Sequence, residues 1–468
     1  MSKRPNIVYV IPDEFRQRAM GFLGKDPVIT PNLDRFAAQS LYLSHAVSSF
    51  PVCSPYRGML FSGQYPFSNG VVGNCNTEGN RYGVYLRPNK ESLPDIFARN
   101  GYDCGYIGKW HLDAPEPGDA AYLEARRADD GKIWDAFTPK HRRHGFNFWY
   151  SYGCHDDHFH PHYWATDDKV EDVRCFEEWS PVIDTNVAVD YITNKGGAMR
   201  DEEKPFLLFV ASNPPHMPFE QVPERYKKLY EGKSTEELLN SPCALSPLPE
   251  EIPQEWKERA ANYQGVAQAN VLNYFAAVSG IDEQFGRILD AIQEKGIEED
   301  TIVIFTSDHG EMMGSHSMMY KGYWFDDSFR VPFLIRYPGH IEPGQKDGFL
   351  NPPDLLPTLL ELAGLSDQIP QKTEGVSCAG WLLGDAQPLR DEGYFVNPEA
   401  NVRGVANQDW LFVVIRDMHD NERHLLYDSK NDPNQMHNAA KEHPEVVRAM
   451  RERLEWWLHH TNDLWVQE

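Results

Sequence analysis

The sequence predicts an α/β protein: a large central, mostly parallel mixed sheet sandwiched by helices, with a smaller C-terminal α+β domain. Three observations carry this. Short β-branched or aromatic runs are apolar almost without interruption, as strands buried on both faces are. Amphipathic helical stretches fall between them, the alternation expected of parallel strands joined by crossover helices. After about Gln371 the pattern changes to short, closely spaced strands and one last helix.

In chain order, strands are expected over Asn6 to Ile11, Tyr102 to Ile107, Pro205 to Ala211, Thr301 to Thr306 and Val331 to Tyr337. Helices are expected over Pro31 to Gln39 behind a Thr30 N-cap, Ser92 to Asn100 closed by Gly101, Ile183 to Thr193, and around Val271 to Gln293. In the long helix Val271, Phe275, Val278, Ile281, Phe285, Ile288, Leu289 and Ile292 recur at three-to-four spacing, a core-facing stripe. The C-terminal part shows strands at Gly393 to Val396, Leu411 to Arg416 and His424 to Tyr427, then a helix from Pro444 to Leu458. No repeat or Gly/Ser linker divides the chain, so the pattern sets two domains, 1–370 and 371–468.

Among the 468 residues, 45 basic and 70 acidic side chains give a net charge of −25. Such an excess repels nucleic acid and anionic membrane surfaces, so an anionic substrate must be caught by a local cluster of cations. The apolar runs fall far short of the roughly 20 residues of a membrane helix. Ile7 to Ile11 is too short for a secretory leader, which implies a cytoplasmic protein, or a periplasmic one whose leader has been removed. The seven cysteines are scattered, with no C-x-x-C pair, and indicate neither a disulfide framework nor a zinc ribbon. The acidic stretch from Asp113 to Asp130 reads as solvated surface.

Ligands of open α/β sheets bind beyond the carboxyl ends of the strands. Here those ends deliver Asp13 and Glu14, Lys109 and His111, Asn213 and His216, and Asp308 and His309. Paired carboxylates with an imidazole suit a hard divalent cation, and Lys109 with the histidines could hold an anionic group against it. Each residue alone is equally compatible with a solvated loop; four strand ends together are not so easily dismissed. Cys53-Ser54-Pro55-Tyr56-Arg57 starts a short helix, with Ser54 as N-cap, Pro55 in the first turn and Gly63 as its stop. A cysteine at a helix start beside an arginine is either an activated nucleophile or a buried structural thiol.

Cys53-x-Pro55-x-Arg57 resembles the signature of the type I sulfatases, in the alkaline-phosphatase-like superfamily. The resemblance extends through Pro5-Asn6-Ile7-Val8, Thr30-Pro31-Asn32-Leu33-Asp34, Gly108-Lys109-Trp110-His111, Pro214-Pro215-His216, Ser307-Asp308-His309-Gly310 with Lys321, Leu426-Tyr427-Asp428 and Asn431-Asp432-Pro433. It implies an alkaline-phosphatase-like fold and oxidation of Cys53 to formylglycine (3-oxoalanine) by a maturation enzyme. It further implies a cation, usually Ca2+ with Mg2+ or Mn2+ as alternatives, held by Asp13, Glu14, Asp308, His309 and the modified Cys53. Glu14 departs from the Asp or Gln of many relatives, and His309 stands where some carry Asn. By the same resemblance Arg57, Lys109 and His111 support the formylglycine, while His216 and Lys321 contact the sulfate and the leaving oxygen. The implied reaction is attack on sulfur by the aldehyde hydrate, then proton transfer through His111 to release sulfate.

Two aromatic segments invite further readings. In Cys154 to Trp164, His158 and His160 are candidates to recognise a sugar, and Tyr320 and Trp324 near Lys321 are candidates to stack on one; a structural role is the alternative for all four. The Cys154 to Trp164 spacing matches no zinc pattern. The expected activity is hydrolysis of a sulfate ester on a small glycan. Its rivals are a phosphonate monoester or phosphodiester hydrolase of the same architecture, and a glycan-binding homologue that never acquires formylglycine.

Overall fold

Ten strands form the central sheet in the computed structural model, which describes residues 4–116, 124, 127–388 and 390–466. They are β1 (Asn6–Val10), β2 (Leu41–Ala46), β3 (Asp103–Lys109), β4 (Phe148–Tyr152), β5 (His162–Ala165), β6 (Arg174–Cys175), β7 (Phe206–Ala211), β8 (Thr301–Thr306), β9 (Phe333–Arg336) and β10 (Gly344–Leu350). Their spatial order is β10-β2-β9-β8-β1-β7-β3-β4-β5-β6. The five strands from β8 to β4 are mutually parallel, while β9 and β5 run against their neighbours. This is the mostly parallel mixed sheet expected from the sequence. The strands without a sequence forecast, β2, β4, β5, β6 and β10, flank the centre and carry more polar residues, so they lack the continuous apolar run.

The central strands alternate strictly. Ile7 and Tyr9, Leu207 and Phe209, and Ile302 and Ile304 face one core; Val8 and Val10, Leu208 and Val210, and Val303 and Phe305 face the other. Helices α2 (Cys53–Ser62), α3 (Leu93–Arg99) and α6 (Leu355–Leu362) cover the first core; α1 (Pro31–Ala37), α4 (Ser180–Thr193) and α5 (Gln254–Lys295) cover the second. Each such side chain, fully buried, contributes about 1.5–3 kcal/mol. All eight stripe residues of α5 are buried, but the helix begins at Gln254 rather than near Val271. Its first turns are polar and rich in Ala, Gln, Glu and Lys, which favour helix without showing an apolar period.

Helix α2 starts two residues earlier than expected, at Cys53, with the extended Val52 as its N-cap. Ser54 is not the cap: its hydroxyl donates to the His111 carbonyl at 2.6 Å and accepts from the Cys75 N–H at 3.0 Å. Gly63 does end the helix, at φ 66°, a conformation that favours glycine.

A second sheet, β11 (Gly393–Asn397), β12 (Val402–Ala406), β13 (Trp410–Arg416) and β14 (Glu422–Asp428), is an antiparallel meander. Helix α7 (Pro444–His460) covers one face through Met450, Leu454, Trp457 and Leu458, and also brings that face against Phe50, Met59 and Tyr65 around α2. The other face packs on Trp324, Phe325, Phe329 and Phe349 of the larger part. β12 escaped the sequence reading because Arg403 interrupts it; that guanidinium is buried and paired with Asp463.

Of the acidic stretch Asp113 to Asp130, residues 117–123, 125 and 126 lie outside the described residues. Asp113 itself is not solvated: it is buried and ion-paired with Arg142. All seven cysteines are free, and among the described residues no helix is long and apolar enough to cross a membrane.

Candidate active site

Because β8, β1, β7 and β3 are consecutive parallel neighbours, their carboxyl ends open on the same edge. Asp13 follows β1, Lys109 ends β3, Asn213 and His216 follow β7, and Asp308 and His309 follow β8. Helix α2 lays its first residue across that edge. Cys53 Sγ lies 3.3 Å from His309 Nε2, 3.5 Å from Asp13 Oδ1 and 3.8 Å from Lys109 Nζ. All of these groups are buried.

The two carboxylates are oriented alike. Asp13 Oδ2 meets Lys109 Nζ at 2.7 Å and Arg57 at 3.2 Å, and Asp308 Oδ2 meets Arg57 at 2.9 Å. Their Oδ1 atoms turn instead toward His309 Nε2, at 3.5 and 3.8 Å. His309 Nδ1 donates to the Gly310 carbonyl at 3.0 Å, which turns Nε2 toward Cys53 and the two carboxylates. Burial and the neighbouring Asp13 charge push the Asp308 carboxyl up to about 6. Burial and Asp13 also oppose ionisation of the Cys53 thiol, but Lys109, Lys321 and His309 together hold it well below its ordinary range. One ligand atom each from Asp13, Cys53, Asp308 and His309 lies within 4.8 Å of the others. Two carboxylates and an imidazole nitrogen in one buried space, with the outer carboxylate oxygens already tied to cations, are a donor set that fits a divalent ion.

Glu14 lies outside that group of four. It adopts φ 66°, and its carboxylate Oε2 stands 3.5 Å from both Lys321 Nζ and His216 Nε2, while Oε1 is buried with no hydrogen-bond partner among the described residues. It forms instead a second potential ligand group with Asp13 and His216. His216 Nδ1 donates to the Met217 carbonyl at 2.8 Å, so Nε2 is the atom that faces Glu14. His111 Nε2 donates to the Cys75 carbonyl at 3.1 Å; among the described residues Nδ1 has no hydrogen-bond partner, and burial lowers the ring's pKa. Asn213 accepts from Lys109 Nζ at 2.9 Å and donates to Asp156 at 3.0 Å, linking two loops over the strand ends.

Above these groups lies a pocket of about 270 Å³, lined by Cys53, Lys109, His111, His216, Lys321 and Tyr320 among others. Of the four candidate sugar contacts only Tyr320 lines it. Trp324 is wholly buried, stacked on Trp256 in the core beneath the second sheet. His158 is buried too, its Nε2 donating to the His216 carbonyl at 2.9 Å, which positions that loop without lining the pocket. His160 is exposed and pairs with Asp157. Asn74, Ala128, Trp134, Cys154, Asp156 and Met217 complete the lining; Cys154 and Asp156 belong to the Cys154 to Trp164 segment read from the sequence as a candidate recognition loop, and the other four were not singled out. Those four come from loops far apart in the chain and belong to no spacing that local chemistry would mark.

Residues 5–365 match the family described as Sulfatase, and residues 314–459 match that described as N-sulphoglucosamine sulphohydrolase, C-terminal. The chain is 37% identical over 505 aligned positions to an endo-4-O-sulfatase of Bacteroides thetaiotaomicron, covering 100% of this chain and 94% of that one. It is 34% identical over 379 positions to an ulvan-active sulfatase of Formosa agariphila, covering 80% and 64%. A solved Bacteroides thetaiotaomicron structure, described under the metabolism of multiple glycosaminoglycans, superposes with a TM-score of 0.88 at 35% identity, covering 99% of this chain and 98% of that one. Family match, fold and the order of the motifs agree: the chain belongs to the type I sulfatases of the alkaline-phosphatase-like superfamily, and is a sulfuric ester hydrolase.

Proposed function

We propose that this enzyme removes sulfate from a sulfated glycan, using formylglycine at position 53 and a divalent cation held by Asp13, Asp308, His309 and residue 53. The observation that carries it is the meeting of Cys53 with two carboxylates, an imidazole and Lys109 in one buried space. The endo-4-O-sulfatase and ulvan-active sulfatase among its relatives support a glycan rather than a small aryl ester. Oxygen-rich donors with one imidazole favour Ca2+, with Mg2+ or Mn2+ as alternatives.

Formylglycine and the cation supply, together, a hydrated aldehyde able to attack sulfur and later release it, which a plain serine or cysteine does not. The protein's own residues do the rest. Arg57 holds the outer oxygens, Oδ2, of Asp13 and Asp308 at 3.2 and 2.9 Å, which leaves the Oδ1 atoms turned toward His309. Lys109, buried, and Lys321, partly buried, present their ammonium groups to the pocket and stabilise the charge on the transferring sulfate. His111, neutral through burial and with Nδ1 unpartnered, accepts a proton from the group at position 53. His216 Nε2, fixed through Nδ1 and through His158, is placed to protonate the leaving oxygen.

The test is the matured enzyme beside Cys53→Ser. Turnover of a sulfate ester is expected in the first and absent in the second at unchanged thermal stability, with the peptide around Cys53 showing the mass of an aldehyde only in the first. A Cys53→Ser protein that still hydrolyses sulfate would end this reading. Sulfate esters are expected to be turned over faster than aryl phosphonates or phosphodiesters.

A further inference from the structure

The loop that leaves β8 and delivers Tyr320 and Lys321 to the pocket holds a buried carboxyl that does not line it. Gly310 starts the loop with a close approach: its N–H donates to the Ser328 carbonyl at 3.0 Å, and the Asp327 carbonyl leaves no room beside it for a Cβ. Glu311 follows, at 0% exposure. Its Oε1 accepts from the Met313 N–H at 2.8 Å and from the Tyr320 N–H at 2.6 Å, so a single atom ties the two ends of the loop together. Between those amides the backbone is held in unfavourable shapes. Met313, His316, Ser317 and Tyr320 have left-handed φ angles of 37°, 54°, 58° and 66°. Residues with a Cβ keep such conformations only where the surrounding contacts over-determine them. Burial of Met312, Met313, Met318 and Met319 in two cores supplies part of that constraint. Two backbone bonds supply more, from the Met312 N–H to the Tyr320 carbonyl at 2.9 Å and from the Gly314 N–H to the Met318 carbonyl at 2.8 Å. The Glu311 carboxyl completes the closure at Tyr320, the residue before Lys321.

That closure decides where Lys321 starts. The backbone of Tyr320 is held at its N–H by Glu311 and at its carbonyl by Met312, and its ring stands edge-on to Tyr263 with centroids 5.6 Å apart. Lys321 therefore leaves the loop at a set place and brings Nζ to 3.5 Å from Glu14 Oε2, in the wall of the pocket. A lysine ammonium rides on a flexible four-carbon stem, so its position is only as definite as the backbone it springs from. A group displaced by about 1 Å from its working geometry can cost about 100-fold in rate. We propose that Glu311 is a positioning residue for the sulfatase reaction: by tying the Met313 and Tyr320 amides it fixes the loop that carries Lys321, and so sets that ammonium against the transferring sulfate. The reach of the side chain matters here rather than its charge, because both donors to Oε1 are neutral backbone amides. The inference rests on the part given to Lys321 in the proposed reaction.

The test separates reach from charge. Glu311→Gln keeps an oxygen at the same distance from the backbone, whereas Glu311→Asp keeps the acid but is one methylene too short to meet both amides. With 4-nitrophenyl sulfate and the matured enzyme, Glu311→Gln is expected to hold kcat within about threefold of wild type. Glu311→Asp is expected to lose about tenfold or more in kcat with KM little changed. In a Lys321→Ala background the same Glu311→Asp change is expected to cost less than about twofold, since the group it misplaces is gone. Amide hydrogen exchange reads the loop independently of turnover: the Tyr320 N–H is expected to exchange faster in Glu311→Asp and at the wild-type rate in Glu311→Gln. A fall of about tenfold or more in Glu311→Gln overturns the assignment whatever Glu311→Asp does. A Glu311→Asp penalty of undiminished size without Lys321 overturns it too. If Lys321→Ala leaves kcat unchanged, the role given to Lys321 fails rather than the loop. In that case, or if 4-nitrophenyl sulfate is not turned over, exchange alone decides: selective loss of Tyr320 protection in Glu311→Asp supports the closure, and equal protection in all three proteins overturns it.

Discussion

Lys109 is the residue whose surroundings say most about its role. An ammonium at 0% exposure is tolerated because Asp13 meets it at 2.7 Å and Asn213 at 2.9 Å; burial lowers its pKa, but the charge of Asp13 above all holds it well above the ordinary value. Lys109→Met removes a charge from the pocket and leaves Asp13 with Arg57 as its remaining cation. A fall in kcat of at least about 100-fold is expected, with thermal stability lowered, as steady-state kinetics and calorimetry would show. Trp324 teaches the opposite lesson. Its sequence neighbour Tyr320 lines the pocket while Trp324 stacks on Trp256 in a core, so Trp324→Ala is expected to cost about 3–5 kcal/mol. An aromatic residue near a catalytic lysine carries no mark in the sequence of which way it turns.

At the scale of elements, α4 carries a buried carboxyl with a pH signature. Asp184 is fully buried and accepts from the Tyr163 hydroxyl at 2.8 Å, and burial pushes its pKa up to about 7. Its value in an unfolded chain is about 3.9. Between these values the folded protein binds more protons than the unfolded one, so this carboxyl takes away stability as pH rises from about 4 to 7, and the loss is complete above that window. Asp184→Asn is expected to stabilise the protein at pH 8 relative to pH 5 by a few kcal/mol in difference, read from urea midpoints at the two values. A pH-independent difference would show that the carboxyl is not held in this state.

The elements also show where sequence reasoning reaches. The runs at β1, β7 and β8 were legible because strands buried on both faces must be apolar throughout, and α5 because its eight buried positions keep helical spacing. The start of α2 was misplaced because Ser54, the obvious cap, was recruited by His111 and Cys75 across the fold. Local capping preferences are worth about 1 kcal/mol and yield to such contacts.

For the whole molecule, the site is a junction between distant parts of the chain. The second sheet buttresses α2 through Phe50, Met59 and Tyr65, and Asn397 at the end of β11 donates to the Gly322 carbonyl at 2.8 Å, next to Lys321. A cation bound only by the folded chain stabilises it in proportion to the logarithm of its concentration. Chelation is therefore expected to lower the melting temperature and abolish turnover together, and added Ca2+ to restore both; Asp308→Asn should lose the melting shift. A melting temperature indifferent to chelator and calcium alike would speak against an ion at this place.

What the sequence determined by itself was the fold class, the strands and helices of the centre, the type I sulfatase resemblance and the residues around Cys53. These depend on apolar period and on motifs at strand ends, both of which are local in the chain. Tertiary structure alone decided that Glu14 faces Lys321 and His216, and that Tyr320 and not Trp324, His158 or His160 lines the pocket. The reason is physical: a loop side chain's direction follows from contacts with segments hundreds of residues away, and those contacts leave no period for a sequence to display.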